Sequence, residues 1–428
     1  MPRTMTGLDR VLRDGLRLPG RGRAGLLCNG TTVSGTWQPS ADAVAGLPGV
    51  DLRRLFSPQH GFAAEKQDNM IPSADGVHRH LDLPIISLYG ERLAPAVEDL
   101  AGLDAIVIDL QDVGTRVYTF LISALHMIRV ALQNGIPVYL LDRPNPISGH
   151  REGPILEERL RSFVGLVDVP LRHGLTAGEY CRYGAWRLGL ITEDEARGSG
   201  EPGAVPGSGP DAGGLHIIPM EGWRRSLFYD KTGLPWTMPS PNLPTLETAL
   251  VYPGQVILEG TNLSEGRGTT RPFELCGAPY VDPPLLLGTL AADGFVDLQA
   301  PGIAAGQAGS PLAGVLLREV AFEPTFNKHA GVLVRGMQIH ILDRRVMRPI
   351  ALTTALLDAV RRSHPEFRWR QPPYEYEHER PAVDLICGTA AFREAIDAGA
   401  PAEEIVASWD GQLAAFDARI APLLIYRD

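Results

Sequence analysis

The 428-residue chain has only four cysteines, Cys28, Cys181, Cys276 and Cys387. They lie far apart and no pair has CxxC spacing, so neither a zinc ribbon nor a dithiol redox motif is indicated. In so long a chain they read as reduced, mostly buried thiols. Nowhere do about 18 apolar residues run together, so no membrane span is expected. Residues 1–25 are rich in arginine without a long apolar core and do not read as a signal peptide, which makes the cytoplasm the expected location. A basic stripe is also missing. The 40 basic side chains face 50 acidic ones, for a formal net charge of −10, and nucleic acid is not an expected partner. No GxGxxG follows the first apolar run, and no GxxxxGK ending in Ser or Thr occurs, so nucleotide fingerprints are lacking. Nor is there a GxSxG elbow for a serine hydrolase.

What is present is ordinary for a soluble globular protein. Hydrophobic residues make up 44% and charged residues 21%, enough to bury a sizeable core. Short apolar runs alternate with amphipathic segments through the first half. Residues 24–28, 52–56, 84–88, 105–110 and 137–141 read as buried strands, and 92–100, 118–134 and 176–190 as helices. Thr176 with Glu179 three residues on fits a capping box, and Asn134-Gly135 a helix end. This alternation predicts an α/β fold with a parallel sheet covered by helices. Residues 197–214, rich in Gly, Pro, Ser and Ala, read as a flexible surface insertion. Four prolines crowd 235–244, which must be extended or turning chain; its Trp236 either faces a ligand or packs on the core. After about residue 282 the pattern changes. Strands are expected at 315–322 and 332–342, and helices at 350–362, 391–398 and 403–424. The division is 1–282 as the larger, catalytic domain and 283–428 as a smaller α+β domain.

Polar motifs follow three of the expected strands, where open α/β sheets bind ligands. In residues 106–120, IVIDLQDVGTRVYTF, Asp109 and Asp112 read as an acid–base pair beside Arg116 and Tyr118. The alternative is that Arg116 pairs with one aspartate while the other caps a helix. Residues 138–149, VYLLDRPNPISG, bring Asp142, Arg143 and Asn145 onto a proline-stiffened loop. SPQHGF carries His60, with Glu65, Lys66, Gln67, Asp68 and Asn69 close behind, and His173 stands before a helix. His78 and His80 form an HxH, but a metal needs a third ligand, and no metal is expected. The densest motif is 258–274, LEGTNLSEGRGTTRPFE, after the strand-like run 256–258. It packs three glutamates, two arginines and four hydroxyls around three glycines. It reads as the polar wall of a binding site, or else as an exposed glycine-rich loop.

These motifs resemble, in order, the bacterial DUF1343 family. The resemblance rests on SPQHGF, SLYG, DLQDVGTRVYT, LDRPNPISG, EGPIL, SFVG, RHGLTAGE, TGLPW, PSPNLPT and LEGTNLSEGRGTTRPFE, spanning about 55–273. YEHERPAVDLICG (376–388) adds a weaker match. Characterised members are exo-β-N-acetylmuramidases of the NamZ and YbbC type. The resemblance implies a Rossmann-like parallel-sheet N-terminal domain, a smaller C-terminal domain, an open cleft between them and no cofactor. It also implies a muropeptide or amino-sugar disaccharide as substrate, from which N-acetylmuramic acid is removed at the non-reducing end. One departure stands out: the muramidases usually read PEHG where this chain has Pro58-Gln59-His60-Gly61. Gln59 cannot act as a general acid, and Glu65 and Asp68 are the nearby residues that could compensate. The catalytic candidates are Glu65, Asp109, Asp112 and Glu265, with Glu179 and Glu259 behind them. Gln59, His60, Asp68, Arg116, Tyr118, Arg143, Asn145, His173, Asn262 and Arg267 are the expected substrate-binding set. The alternatives are a hydrolase of another glycoside or of a non-sugar substrate, or a carbohydrate-binding protein without catalysis.

Overall fold

Four-residue apolar runs such as Ala105–Ile108 and Val138–Leu141 are buried at every position. This is the signature of strands covered on both faces, as parallel sheets are. The protein is described by a computed structural model over residues 3–68, 70–198 and 214–428. Its first strands are β1 (Arg23–Leu27), β2 (Asp51–Ser57), β3 (Gly76–Val77), β4 (Pro84–Ser87), β5 (Ala105–Ile108) and β6 (Val138–Leu141). A separate hairpin-like pair follows, β7 (Glu152–Ile155) with β8 (Pro170–Arg172), and then β9 (Leu215–Ile218). The main sheet runs β3-β4-β2-β1-β5-β6-β9. Every neighbouring pair is parallel except β3 with β4.

Helices Phe120–Gln133 and Ala177–Arg187 pack together in this half. The second opens on the expected capping box: Thr176 accepts from the Glu179 amide, and Glu179 accepts from the Thr176 amide. The expected surface insertion at 197–214 falls mostly on 199–213, outside the described residues.

The second sheet is antiparallel, with strands β10 (Leu275–Ala278), β11 (Val296–Ala300), β12 (Ile303–Gly306), β13 (Val315–Phe322) and β14 (Val334–Ile341) in the order β10-β14-β13-β12-β11. Its first strand precedes residue 282. Helix Pro349–Ser363 packs against helix Leu246–Gln255. One buried apolar cluster runs from Leu27 through these helices to Leu423, so both halves share a core.

Three elements differ from expectation. The run Val256–Leu258 is not a strand but part of a 3-10 turn, Val256–Gly260, continuing helix Leu246–Gln255; three apolar residues cannot separate the two. In 92–100 only Glu98–Leu100 is helical. Pro95 removes a backbone donor, and Asp99 instead accepts from the Ala96 amide and Arg92. The long C-terminal helix is broken into Ala402–Ala407 and Asp410–Ile420. Among the described residues no helix is long and apolar enough to cross a membrane.

Candidate active site

The segments that leave the carboxyl ends of β2 and β5 open onto a cleft of about 420 Å³, part of it open solvent. Gln59 and His60 follow β2, and Tyr118 and Thr119 follow β5. The proline-rich segment adds Ser240 and Asn242. Tyr252 comes from helix Leu246–Gln255, Glu259 from the turn after it, and Arg267 and Phe273 from the glycine-rich loop. The far side is closed by Tyr374 and Glu375, which precede helix Ala382–Cys387.

Two carboxylates face this space. Glu259 is buried and accepts from Arg267 Nη2 at 2.7 Å and from the Tyr374 hydroxyl at 2.9 Å. Glu375, 5% exposed, accepts from Gln59 Nε2 at 3.2 Å and from the Tyr89 hydroxyl at 2.7 Å. Burial pushes the Glu375 carboxyl up to about 7, and the Glu259 charge adds to this against the Tyr89 hydrogen bond.

Arg267 lies over the Phe273 ring, 5.0 Å from its centroid. Despite burial, Glu259 and Glu265 hold its guanidinium above the usual range. Its Nη1 and the Oδ1 of Asn242 are buried without a hydrogen-bond partner. Such groups are costly to leave unmade, and both belong to residues that line the cleft. Burial pushes the His60 imidazole down to about 4. The ring is therefore neutral, and Nδ1 donates to the Lys66 carbonyl at 2.7 Å.

Of the residues picked out in the sequence, Gln59, His60, Tyr118 and Arg267 line the cleft, as does Glu259. The other acidic candidates sit elsewhere. Asp109 is wholly buried in a two-pronged ion pair with Arg143, at 2.5 and 2.8 Å, and takes the Ser40 hydroxyl. Neither Asp109 nor Arg143 reaches the cleft, because each satisfies the other. Asp112 accepts from the Gly114 amide at 2.6 Å and stands 3.2 Å from Nε2 of His173. The Leu175 amide donates to Nδ1 of that ring, so Nε2 carries the hydrogen and donates to Asp112. Glu265 lies behind Arg267, 2.8 Å from Lys328 and 3.4 Å from Arg267. Those cations, against burial, hold its carboxyl below its usual range. Glu65 is exposed and packs its carboxylate over Gly61, where a Cβ would meet it at 2.5 Å.

The remaining binding candidates have structural partners. Arg116 is fully buried and donates to the carbonyls of Pro154, Val169 and Ile386. It therefore pairs with no aspartate. Asn145 bridges the Leu175 carbonyl and the Ile147 amide. Asn262 takes the Tyr280 hydroxyl and the Arg368 amide, and Asp68 accepts from Asn327. Trp236 packs edge-on against Tyr229, 5.1 Å away, and donates to the Pro244 carbonyl. The His78 and His80 rings stand 6.1 Å apart. Among the described residues no three His, Cys, Asp or Glu side chains gather as a metal site.

Sequence reasoning missed Ser240, Asn242, Tyr374 and Glu375. A signal existed for each pair: PSPN interleaves polar side chains with prolines and PPYEY sets them directly after two, and prolines stiffen a loop.

The chain matches the N-terminal domain described as "Exo-beta-N-acetylmuramidase NamZ, N-terminal" over residues 24–247. It matches the corresponding C-terminal domain over 250–426. It is 34% identical to peptidoglycan beta-N-acetylmuramidase NamZ of Bacillus subtilis (strain 168), across 99% of this chain and 92% of the relative. The crystal structure of a DUF1343 family protein from Bacteroides fragilis NCTC 9343 superposes with a TM-score of 0.80 at 25% identity, covering 99% of both chains. A second DUF1343 protein of that organism gives 0.71 at 23% identity over the whole of both chains, a likeness of fold. The Rossmann-like sheet and smaller second unit expected from the sequence are the fold of these proteins. The chain belongs to the exo-β-N-acetylmuramidase NamZ family and is a glycosidase.

Proposed function

We propose that this glycosidase is an exo-acting enzyme that releases N-acetylmuramic acid, or a closely related amino sugar, from peptidoglycan-derived fragments. In this reading Glu375 protonates the glycosidic oxygen and Glu259 supports attack at the anomeric carbon. One observation carries the reading: two buried carboxylates, distant in sequence, border one cleft in unlike surroundings. Paired carboxyls whose environments push them apart are how acid and base duties divide. Glu375 is desolvated, with its carboxyl raised to about 7, whereas Glu259 is paired with a guanidinium.

The Asn242 amide and the Arg267 guanidinium, which line the cleft, suit an acetamido group, whose N–H donates and whose carbonyl accepts. The B. subtilis relative, named for peptidoglycan β-N-acetylmuramidase activity, supports the substrate class. In the proposed enzyme residues 1–282 supply most of the cleft, and 283–428 contribute Tyr374 and Glu375. Four free, buried thiols suit a reducing compartment and support the cytoplasmic assignment.

The test is hydrolysis of 4-nitrophenyl β-N-acetylmuramide. Glu375→Gln is expected to cut kcat by about 100- to 10,000-fold, the range for loss of a general acid, with an unchanged circular dichroism spectrum. Full turnover in that variant removes Glu375 from the role. Gln59 favours one second reading, a carbohydrate-binding protein, which predicts ligand binding by the wild type with no hydrolysis.

A further inference from the structure

Gln59 is tied at both ends. The Thr119 hydroxyl donates to its Oε1 at 2.6 Å, and its Nε2 donates to Oε1 of Glu375 at 3.2 Å. When Glu375 is ionised it can only accept, and in that form the amide NH2 faces Glu375 and the amide oxygen faces Thr119. The second Glu375 oxygen accepts from Tyr89 at 2.7 Å. Tyr89 is fully buried, its ring 5.6 Å from both Phe163 and Tyr376. The backbone is bent to make this meeting. Glu375 and Tyr376 have φ of 43° and 66°, and His60, next to Gln59, has φ of 76°. Left-handed conformations at non-glycine residues persist where the surroundings enforce them, and they collect at functional sites.

Resting on the reading of Glu375 as the acid, we infer that Gln59 is a positioning residue: its amide, locked by Thr119, orients the Glu375 carboxyl and leaves it as the group that delivers the proton. An amide carries no titrating proton. A glutamate at position 59 would stand beside Glu375, and two carboxyls that close share one proton. With glutamine there, Glu375 titrates without a carboxyl partner at position 59. The lock matters because a flipped amide would present its oxygen to Glu375 and draw the proton away from the cleft. The other titratable or charged groups that face Glu375 are Tyr89, Tyr252, Tyr374, Tyr376, Glu259 and Arg267. Burial raises all four phenols, so they act as neutral groups in the working range. Glu259 and Arg267 are the charged neighbours.

The test uses the full chain, 4-nitrophenyl β-N-acetylmuramide and rates from pH 5 to 9. Thr119→Val is expected to lower kcat about tenfold, the worth of one hydrogen bond, with KM within about twofold. Thr119→Ser, which keeps the hydroxyl, recovers the lost rate. Gln59→Leu removes a donor to the charged carboxylate, and its alkaline limb moves up by about one pH unit. If Gln59→Leu fails to fold, as thermal melts would reveal, the Thr119 pair decides. Wild-type kcat and an unmoved limb in these variants, with Glu375→Gln inactive, overturn the positioning role and leave the acid assignment standing. Activity in Glu375→Gln overturns both.

Discussion

Glu375 holds its proton into the neutral range because water is excluded from it and Glu259 is a negative neighbour. In its proposed role as general acid it must be protonated to work. The rate is therefore expected to fall about tenfold per pH unit as pH rises through 7, measured as kcat against pH. The sign for stability follows from the same shift. The folded value, about 7, lies above the ordinary 4.5. The group thus contributes stability that is full below 4.5 and lost as pH rises through 7. Glu375→Gln removes the buried charge, so its melting temperature is expected to equal or exceed that of the wild type at pH 8, with the gain disappearing at pH 5. A variant that melts lower at pH 8 contradicts the raised carboxyl. Much of this residue-level picture was only half legible in the sequence. Gln59, His60 and Tyr118 were readable because they stand in polar motifs that follow strands, and Arg267 because it stands in the densest polar motif of the chain. Position alone misled for Asp109, whose charge is consumed by Arg143. A sequence shows where a carboxylate lies along the chain and not which cation meets it.

Among the elements, those with a strong local signal came through. β5 and β6 were readable as all-apolar runs, and helix Ala177–Arg187 by its capping box. Helix Leu246–Gln255 illustrates what stayed hidden. Its approach to helix Pro349–Ser363 depends on Gly254, where a Cβ would lie 1.8 Å from the Pro349 carbonyl oxygen. Close approach of that kind is a tertiary fact, invisible as one glycine among 47. Gly254→Ala must part the two helices, and overpacking of this sort costs about 1–3 kcal/mol. Tyr252 and Glu259 ride on the displaced element. The urea midpoint and kcat/KM are therefore expected to fall together. A fall in stability with unchanged kcat/KM would show that the cleft tolerates the movement.

The whole molecule is closed by its last residues. The Tyr426 hydroxyl donates to Asp142 at 2.6 Å and accepts from the Met220 amide at 2.8 Å. Glu179 accepts the Ile425 amide alongside Arg225. Burial pushes the Asp142 carboxyl up to about 6 from 3.8, against the pull of Tyr426. Its contribution is therefore full below 3.8 and is lost as pH rises through 6. Tyr426→Phe strands the Met220 amide and removes a donor from a charged group, a loss of about 1–3 kcal/mol. That loss is expected to be greater at pH 8 than at pH 4, compared by chemical denaturation at the two values. Equal losses at both would detach Tyr426 from the ionisation of Asp142.

The two sides of the cleft are also far apart in time. Gln59 and Thr119 are made well before Glu375. N-terminal regions generally fold first during translation, so the parallel sheet can form while Glu375, the proposed proton donor, is still unmade. In the proposed enzyme, a nascent chain in which Glu375 has not yet been made therefore lacks its acid and cannot hydrolyse its substrate.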